Sequence, residues 1–265
     1  MSSNKESTAR TLVVALVVSL VAAIFVAGSA IYLKTPQEQN RLLDKQRSIL
    51  AIAGLGGADL SGDQVRDVFQ RRIKAQVIDL PAGEVDTSLD PDTFDPLKAA
   101  QDPKTSDTLA GDQDIASIKR REQYTTVYRL EKDDGSGQLE ALILPVRGYG
   151  LWSTLYGFLA LKPDLNTVIG LGFYQHGETP GLGGEVDNPR WKALWPGKTL
   201  FDADGKPVIA IVKGGVQQGS PEAAHEVDGL AGATLTSNGI NHLLTFWLGE
   251  QGFGPYLDKL RRDGV

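Results

Sequence analysis

The chain has 265 residues and a formal net charge of −6, which accommodates a membrane segment plus one sizeable domain or two small ones. The acidic balance excludes a general nucleic-acid binder. Cysteine is absent and Met1 is the sole methionine, so disulfides, thiolate metal ligation and thiol catalysis are excluded together. Residues 11–33 form an uncharged run of 23 mostly apolar residues. As a helix this run spans roughly 34 Å, enough to cross a hydrocarbon core of about 30 Å. A cleaved signal peptide ending near Gly28-Ser29-Ala30 is the rival, but signal cores run only about 7–15 residues, so a retained anchor in membrane lipid is expected. Lys5 and Arg10 precede the run, and Lys34, Arg41, Lys45 and Arg47 follow it beside Glu38 and Asp44. That balance leaves the orientation open by charge alone.

Beyond the anchor, Leu42, Leu43, Ile49, Leu50 and Ile52 stand among charges and predict an amphipathic helix over 37–55, ending near Gly54. A second helix is predicted over 61–73. Residues 84–114 hold nine acids against Lys98 and Lys104, and with Pro91, Pro96 and Pro103 they read as an exposed, irregular insertion. Strands are predicted at 124–130 and 139–146, flanking the hairpin signal Asp133-Asp134-Gly135-Ser136-Gly137. Further strands are expected at 155–161, 167–174 and 207–212, and helices at 188–195 and 239–249. The pattern predicts an α+β fold: one N-terminal transmembrane helix, then a domain with a largely antiparallel sheet and flanking helices. The expected organisation is a short cytoplasmic tail (1–10), the transmembrane helix (11–33), a membrane-proximal region with the acidic insertion and first strands (34–140), a core (141–250) and a C-terminal tail (251–265).

His176, His225 and His242 lack metal-ligand spacing, so no metal site is expected. Neither a G-x-S-x-G elbow nor a phosphate-binding P-loop occurs. Three clusters remain. Residues 175–184 read Gln-His-Gly-Glu-Thr-Pro-Gly-Leu-Gly-Gly. Thr179-Pro180-Gly181 suits a tight turn with proline second and glycine at positive φ third. Glu178 offers an acceptor, Thr179 a hydroxyl, Leu182 an apolar contact, and Gly183 close backbone approach to a planar ring. Upstream, Arg147-Gly148-Tyr149-Gly150-Leu151-Trp152 sets two aromatics among glycines, and Trp152 either stacks on a cofactor or caps the core. Lys213 closes a strand and suits a phosphate or a reduced flavin.

The third cluster, Asp228-Gly229-Leu230-Ala231-Gly232-Ala233-Thr234-Leu235-Thr236-Ser237-Asn238, precedes a predicted helix whose free N–H groups and positive dipole end favour a phosphate. By itself this run equally describes an ordinary N-cap by Thr236, Ser237 or Asn238. The anchor, the amphipathic segment, G-Y-G-L-W, H-G-E-T-P-G-L-G and D-G-L-A-G-A-T-L-T-S together resemble the C subunit of the bacterial sodium-translocating NADH:quinone oxidoreductase, over nearly the whole chain. The resemblance implies FMN bound by a phosphoester to the last threonine of D-x-x-[S/T]-G-A-T, which is Thr234 here, with Gly232, Ala233, Leu235 and Thr236 around it. It implies attachment by a separate FMN transferase and a soluble domain on the periplasmic side of the inner membrane. The implied role is electron relay between NADH and ubiquinone, among partner subunits that include a second covalent-FMN subunit and iron–sulfur subunits, with no catalytic residue on this chain. Ala231 departs from the motif, replacing its usual hydroxyl residue. The FMN subunit of the related ferredoxin:NAD⁺ oxidoreductase shares anchor and motifs, and a cofactor-free membrane-anchored binding module is the alternative from another class.

Overall fold

The computed structural model describes residues 8–57 and 59–264. Most of the tail expected at 1–10 therefore lies outside the described residues. Internal packing divides the chain into two units, residues 1–44 and 45–265. Helix α1 (Thr8–Ile52) supplies all described residues of the first unit, and from Lys45 its residues belong to the second. The sequence predicts two helices here, 11–33 and 37–55, but one helix runs through both with Pro36 inside it. A proline interior to a helix removes one hydrogen bond, and the residues on both sides of Pro36 remain helical. An 18-residue window of α1 has mean hydropathy 2.7 and no buried residue, so α1 is a candidate membrane span. Gly54, at φ 78°, follows the helix end as its left-handed stop.

In the second unit, α2 (Gly62–Arg72) begins with a capping box. The Ser61 hydroxyl accepts from the Gln64 N–H, and the Gln64 side chain accepts from the Ser61 N–H. The chain then enters β1 (Ile73–Asp79), a strand that the mixed sequence Ile-Lys-Ala-Gln-Val-Ile-Asp does not announce. It pairs with β2 (Glu84–Val85) and β5 (Tyr124–Glu131). With β6 (Leu139–Tyr149), β7 (Thr154–Leu161) and β8 (Val168–Gln175) they form one sheet in the order β2-β1-β5-β6-β7-β8, every pairing antiparallel. The predicted hairpin at 133–137 joins β5 to β6.

The acidic segment is not irregular. It carries α3 (Pro96–Ala99), β3 (Ser106–Thr108), and a 3-10 turn at Gly111–Gln113, and β3 pairs with β4 (Arg120–Glu122). Its acids fold it locally: Asp86, Asp90, Asp95 and Asp102 each accept a backbone N–H two residues on. The carboxylates that make this stretch look repulsive in sequence are thus used as turn acceptors.

The remaining elements are α4 (Pro189–Lys192), β9 (Ala210–Val212), β10 (Glu226–Asp228), α5 (Thr234–Leu248) and α6 (Gly254–Asp263). Both α4 and β9 are shorter than the predicted 188–195 and 207–212. β9 and β10 pair in parallel, the exception to antiparallel pairing among the named strands. Helix α6 occupies the segment expected as a C-terminal tail, and Phe253, Tyr256 and Leu257 are buried there.

Helix α5 packs on β6. Ile240, Leu243, Leu244 and Trp247 recur at helical spacing and are all buried, so they form one apolar face. Each such side chain contributes about 1.5–3 kcal/mol on full burial. Gly148 lets the helix approach, because a Cβ there would lie 2.8 Å from the Leu243 Cβ. On the other side of the sheet, Ile52 of α1 lies against Gly170 and Gly172 of β8. Covered on both faces, β6 is buried at most positions, which explains its nearly continuous apolar sequence.

Candidate functional site

Three chain segments meet at the start of α5: the turn between β6 and β7, the glycine-rich loop after β8, and the run 228–233. The sequence places the last helix at 239–249, but it starts five residues earlier, with Thr234 as its first residue and Ala233 as its N-cap. Alanine has no capping oxygen, and no side-chain hydrogen bond closes this helix end. Thr236, Ser237 and Asn238 are therefore not N-caps. Past this start the helix runs close against the end of β6: a Cβ on Gly239 would lie 2.4 Å from the Tyr149 carbonyl oxygen, so the backbones touch.

Each polar residue of the first turn of α5 has a distinct role. Thr234 and Leu235 are exposed. Thr236 is 0% exposed, and its hydroxyl donates to Glu178 Oε2 at 2.7 Å. The Ser237 hydroxyl accepts the Leu230 N–H at 3.1 Å, fixing the run 230–233 to the helix. Gly232 takes φ 73°, in the left-handed region that glycine enters without a steric penalty. A Cβ there would sit 3.1 Å from Leu182 Cδ2, so Leu182 lies over Gly232.

Glu178 is 5% exposed and links the other two segments. Its Oε1 accepts the N–H groups of Leu151, Trp152 and Ser153 at 3.1, 3.0 and 3.2 Å. Burial pushes its carboxyl upward, but the Thr236 hydroxyl and the amides of Trp152, Leu151 and Ser153 outweigh burial and hold it below the ordinary value. Gly150 and Gly183 make room for it. A Cβ on Gly150 would lie 2.7 Å from Glu178 Oε1, and one on Gly183 would lie 2.5 Å from Thr236 Oγ1. The predicted turn is present: Leu182 N–H bonds to the Thr179 carbonyl at 3.1 Å, with Gly181 at φ 76°. His176 Nδ1 accepts the Glu178 N–H at 3.2 Å, which leaves its proton on Nε2, facing Asp187 at 2.8 Å.

Apolar surface surrounds this network. Among the described residues, the exposed large hydrophobics outside α1 are Val85, Ile115, Tyr149, Leu151, Trp152, Leu182 and Leu235. Tyr149, Leu151 and Trp152 lie at the end of β6 and its turn, Leu182 in the glycine-rich loop and Leu235 in the first turn of α5, with Trp152 67% and Leu235 58% exposed. A cluster of this kind on an otherwise polar surface marks a binding site. Lys213 follows β9, whose last residue, Val212, accepts the Gly229 N–H at 2.9 Å, so this lysine stands beside the start of the glycine run. Thus Trp152, Glu178, Thr179, Leu182, Gly183, Gly232, Ala233, Thr234, Leu235 and Thr236 come from segments in mutual contact, with Lys213 at their margin. The sequence does not single out Ser153 or Asn241, and it marks Ser237 only as a helix cap. Asn241 holds β9 like a neighbouring strand, accepting the Ile211 N–H at 2.6 Å and donating to its carbonyl at 3.0 Å. A hydroxyl or amide residue close to glycines was the one available signal for these positions.

The FMN-binding domain family matches residues 150–249, the span that contains all three segments. The C subunit of the Na(+)-translocating NADH-quinone reductase of Pseudomonas aeruginosa is 65% identical over 260 residues, covering 98% of each chain. This chain belongs to that C-subunit family. The Yersinia pestis member is 48% identical, over 99% of this chain and 96% of its own. The fold is shared with solved members of the family. The crystal structure of NqrC from Shewanella oneidensis matches at TM-score 0.76 and 39% identity, over 86% of this chain and 99% of that one. The structure of the member from Parabacteroides distasonis matches at TM-score 0.64 and 29% identity, over 85% and 96%.

Proposed function

We propose that this chain carries FMN on Thr234 through a phosphoester and relays electrons within a membrane sodium-translocating NADH:quinone oxidoreductase. The observation that carries this reading is the first turn of α5, where Thr234 offers an exposed hydroxyl at an uncapped helix end while Thr236 is buried and bonded to Glu178. A phosphate on Thr234 places negative charge beside the free N–H groups opening the helix, where it is favoured by about 0.3–1 kcal/mol. Thr236 has no free hydroxyl to compete as acceptor. Ala231 is exposed and leaves the acceptor itself untouched.

The residues present fit a flavin. Trp152 on one loop and Thr179, Leu182 and Gly183 on another hold the ring, with Glu178 buried beneath both loops, Leu235 beside the attachment point and Lys213 available to the phosphate or the reduced ring. Gly232 and Ala233 form the turn that presents Thr234. Bound FMN supplies the redox chemistry, while the protein positions it and sets its electrostatic surroundings. Covalent attachment suits a relay whose cofactor is never released.

Residues 11–33 anchor the chain in the inner membrane, and residues 141–250, the core around FMN, stand on the periplasmic side. Electrons arrive from an upstream centre in a partner subunit and leave to the second covalent-FMN subunit, after a transferase has loaded Thr234. No carboxylate or other charge lies in 11–33, so sodium crosses through other subunits. The 65% and 48% identical relatives support the quinone-reductase branch over the ferredoxin:NAD⁺ complex. Intact-mass measurement after co-expression with the FMN transferase tests the attachment. The wild type gains the mass of one FMN and Thr234→Ala gains none; an unmodified wild type, or FMN persisting on Thr234→Ala, overturns it.

A further inference from the structure

We propose that Glu178 is a positioning residue for the flavin, acting through Thr236 and the turn at 150–153 to fix the spacing between Trp152 and Thr234. This rests on FMN being carried at Thr234.

The turn joining β6 to β7 is built around the carboxylate. In a two-residue hairpin loop the residue after the loop usually donates its N–H back to the residue before it. Here Gly150 N–H bonds to the Ser153 carbonyl at 2.8 Å, but Ser153 N–H turns to Glu178 Oε1 at 3.2 Å. With the Leu151 and Trp152 amides, three successive N–H groups converge on one oxygen, an arrangement that binds anions. The Ser153 hydroxyl closes the loop by accepting the Gly177 N–H at 2.6 Å. Trp152 sits at the tip of this turn, so the place of its ring follows from the place of Glu178.

The second carboxylate oxygen reaches the other half of the site. Thr236 lies in the first turn of α5, the helix that begins with Thr234, and its hydroxyl donates to Oε2 at 2.7 Å. One side chain therefore ties the hairpin that presents the exposed tryptophan to the helix that presents the exposed threonine. The two glycine positions whose Cβ atoms would collide with this pair, Gly150 and Gly183, come from both loops. Three backbone N–H groups, which can only donate, converge on the carboxylate, an arrangement that suits its ionised form. With both oxygens engaged and 5% exposure, Glu178 acts on the ring through the groups it holds.

The test uses the full chain, co-expressed with the transferase, as wild type, Thr236→Val, Thr236→Ser and Glu178→Ala. Three properties are read: FMN mass, visible-region circular dichroism of the bound flavin, and hydrogen exchange of the amides at 151–153 in flavin-free protein. Wild type and Thr236→Ser are expected to agree in all three, since serine restores the hydroxyl. Thr236→Val and Glu178→Ala are expected to exchange faster at 151–153 and to lose most of the flavin dichroism while keeping a folded far-ultraviolet spectrum. Unchanged dichroism and exchange in Thr236→Val overturn the proposal. If Glu178→Ala does not fold, the valine and serine pair decides by itself. Absence of FMN from wild type sinks the attachment reading instead, and the exchange measurement still tests the coupling of Thr236 to the turn.

Discussion

Replacing Arg147 by methionine should destabilise the fold at the base of the hairpin that presents Trp152. Arg147 is 8% exposed and Glu122 1% exposed. The guanidinium donates to Glu122 Oε1 at 2.7 Å, lies 2.6 Å from Oε2, and donates to the Arg120 carbonyl at 3.0 Å. It also lies 5.3 Å from the Trp247 ring, whose indole N–H donates to the Arg147 carbonyl at 2.7 Å. Methionine keeps much of the packing but leaves Glu122 buried, with the Thr125 hydroxyl at 3.4 Å as its remaining side-chain donor. Breaking a buried pair in this way costs about 3–5 kcal/mol. For a unit of this size, at about 2–4 °C per kcal/mol, the melting temperature falls by roughly 6–20 °C. Replacing both partners removes the orphaned charge, so Arg147→Met with Glu122→Leu should return to within about 2 kcal/mol of wild type. Urea unfolding of the detergent-solubilised full chain, followed by tryptophan fluorescence, gives all three free energies at constant slope. A single variant within about 1 kcal/mol of wild type, or a double variant no better than the single, refutes the argument.

Stability should also depend on pH through Glu178. Its folded value lies below the ordinary 4.5, so its contribution is complete above the unfolded value and is lost as pH falls through the folded one. Unfolding free energy should decline once acidification passes below that ordinary value, less steeply in Glu178→Gln; equal slopes would remove Glu178 as the cause. Gly183→Ala places a Cβ 2.5 Å from Thr236 Oγ1, and such overpacking costs about 1–3 kcal/mol; a melting temperature equal to wild type would contradict it. Of the four tryptophans, Trp191, Trp195 and Trp247 are buried and Trp152 is exposed. Acrylamide should therefore quench chiefly Trp152, and loading FMN on Thr234 should abolish that accessible fraction, whereas an undiminished fraction would place the ring elsewhere.

Features governed by neighbouring residues were legible in the chain itself. The apolar run of 11–33, the hairpin at Asp133–Gly137, and the turn at Thr179-Pro180-Gly181 follow from hydropathy and from the backbone preferences of proline and glycine. The mixture of helices with an antiparallel sheet is equally a matter of local pattern. What failed to show lay between distant residues. β1 becomes a strand because β5 pairs with it along its whole length, while its own residues alternate too poorly to predict it. The parallel pairing of β9 with β10 is likewise a product of tertiary approach.

The start of α5 shows the division most clearly. Two β-branched threonines and Gly239 are weak helix formers, so local preference delays the helix to 239. In the fold, Gly239 is needed where the helix backbone meets Tyr149, and Thr236 is drawn to Glu178, 58 residues away. Local pattern was enough to mark the glycine-rich and aromatic clusters that the fold brings together and to set a threonine beside a helix start. It took long-range packing to choose which threonine is open, because the buried carboxylate of Glu178 takes the hydroxyl of Thr236 and leaves Thr234 facing solvent among exposed apolar side chains.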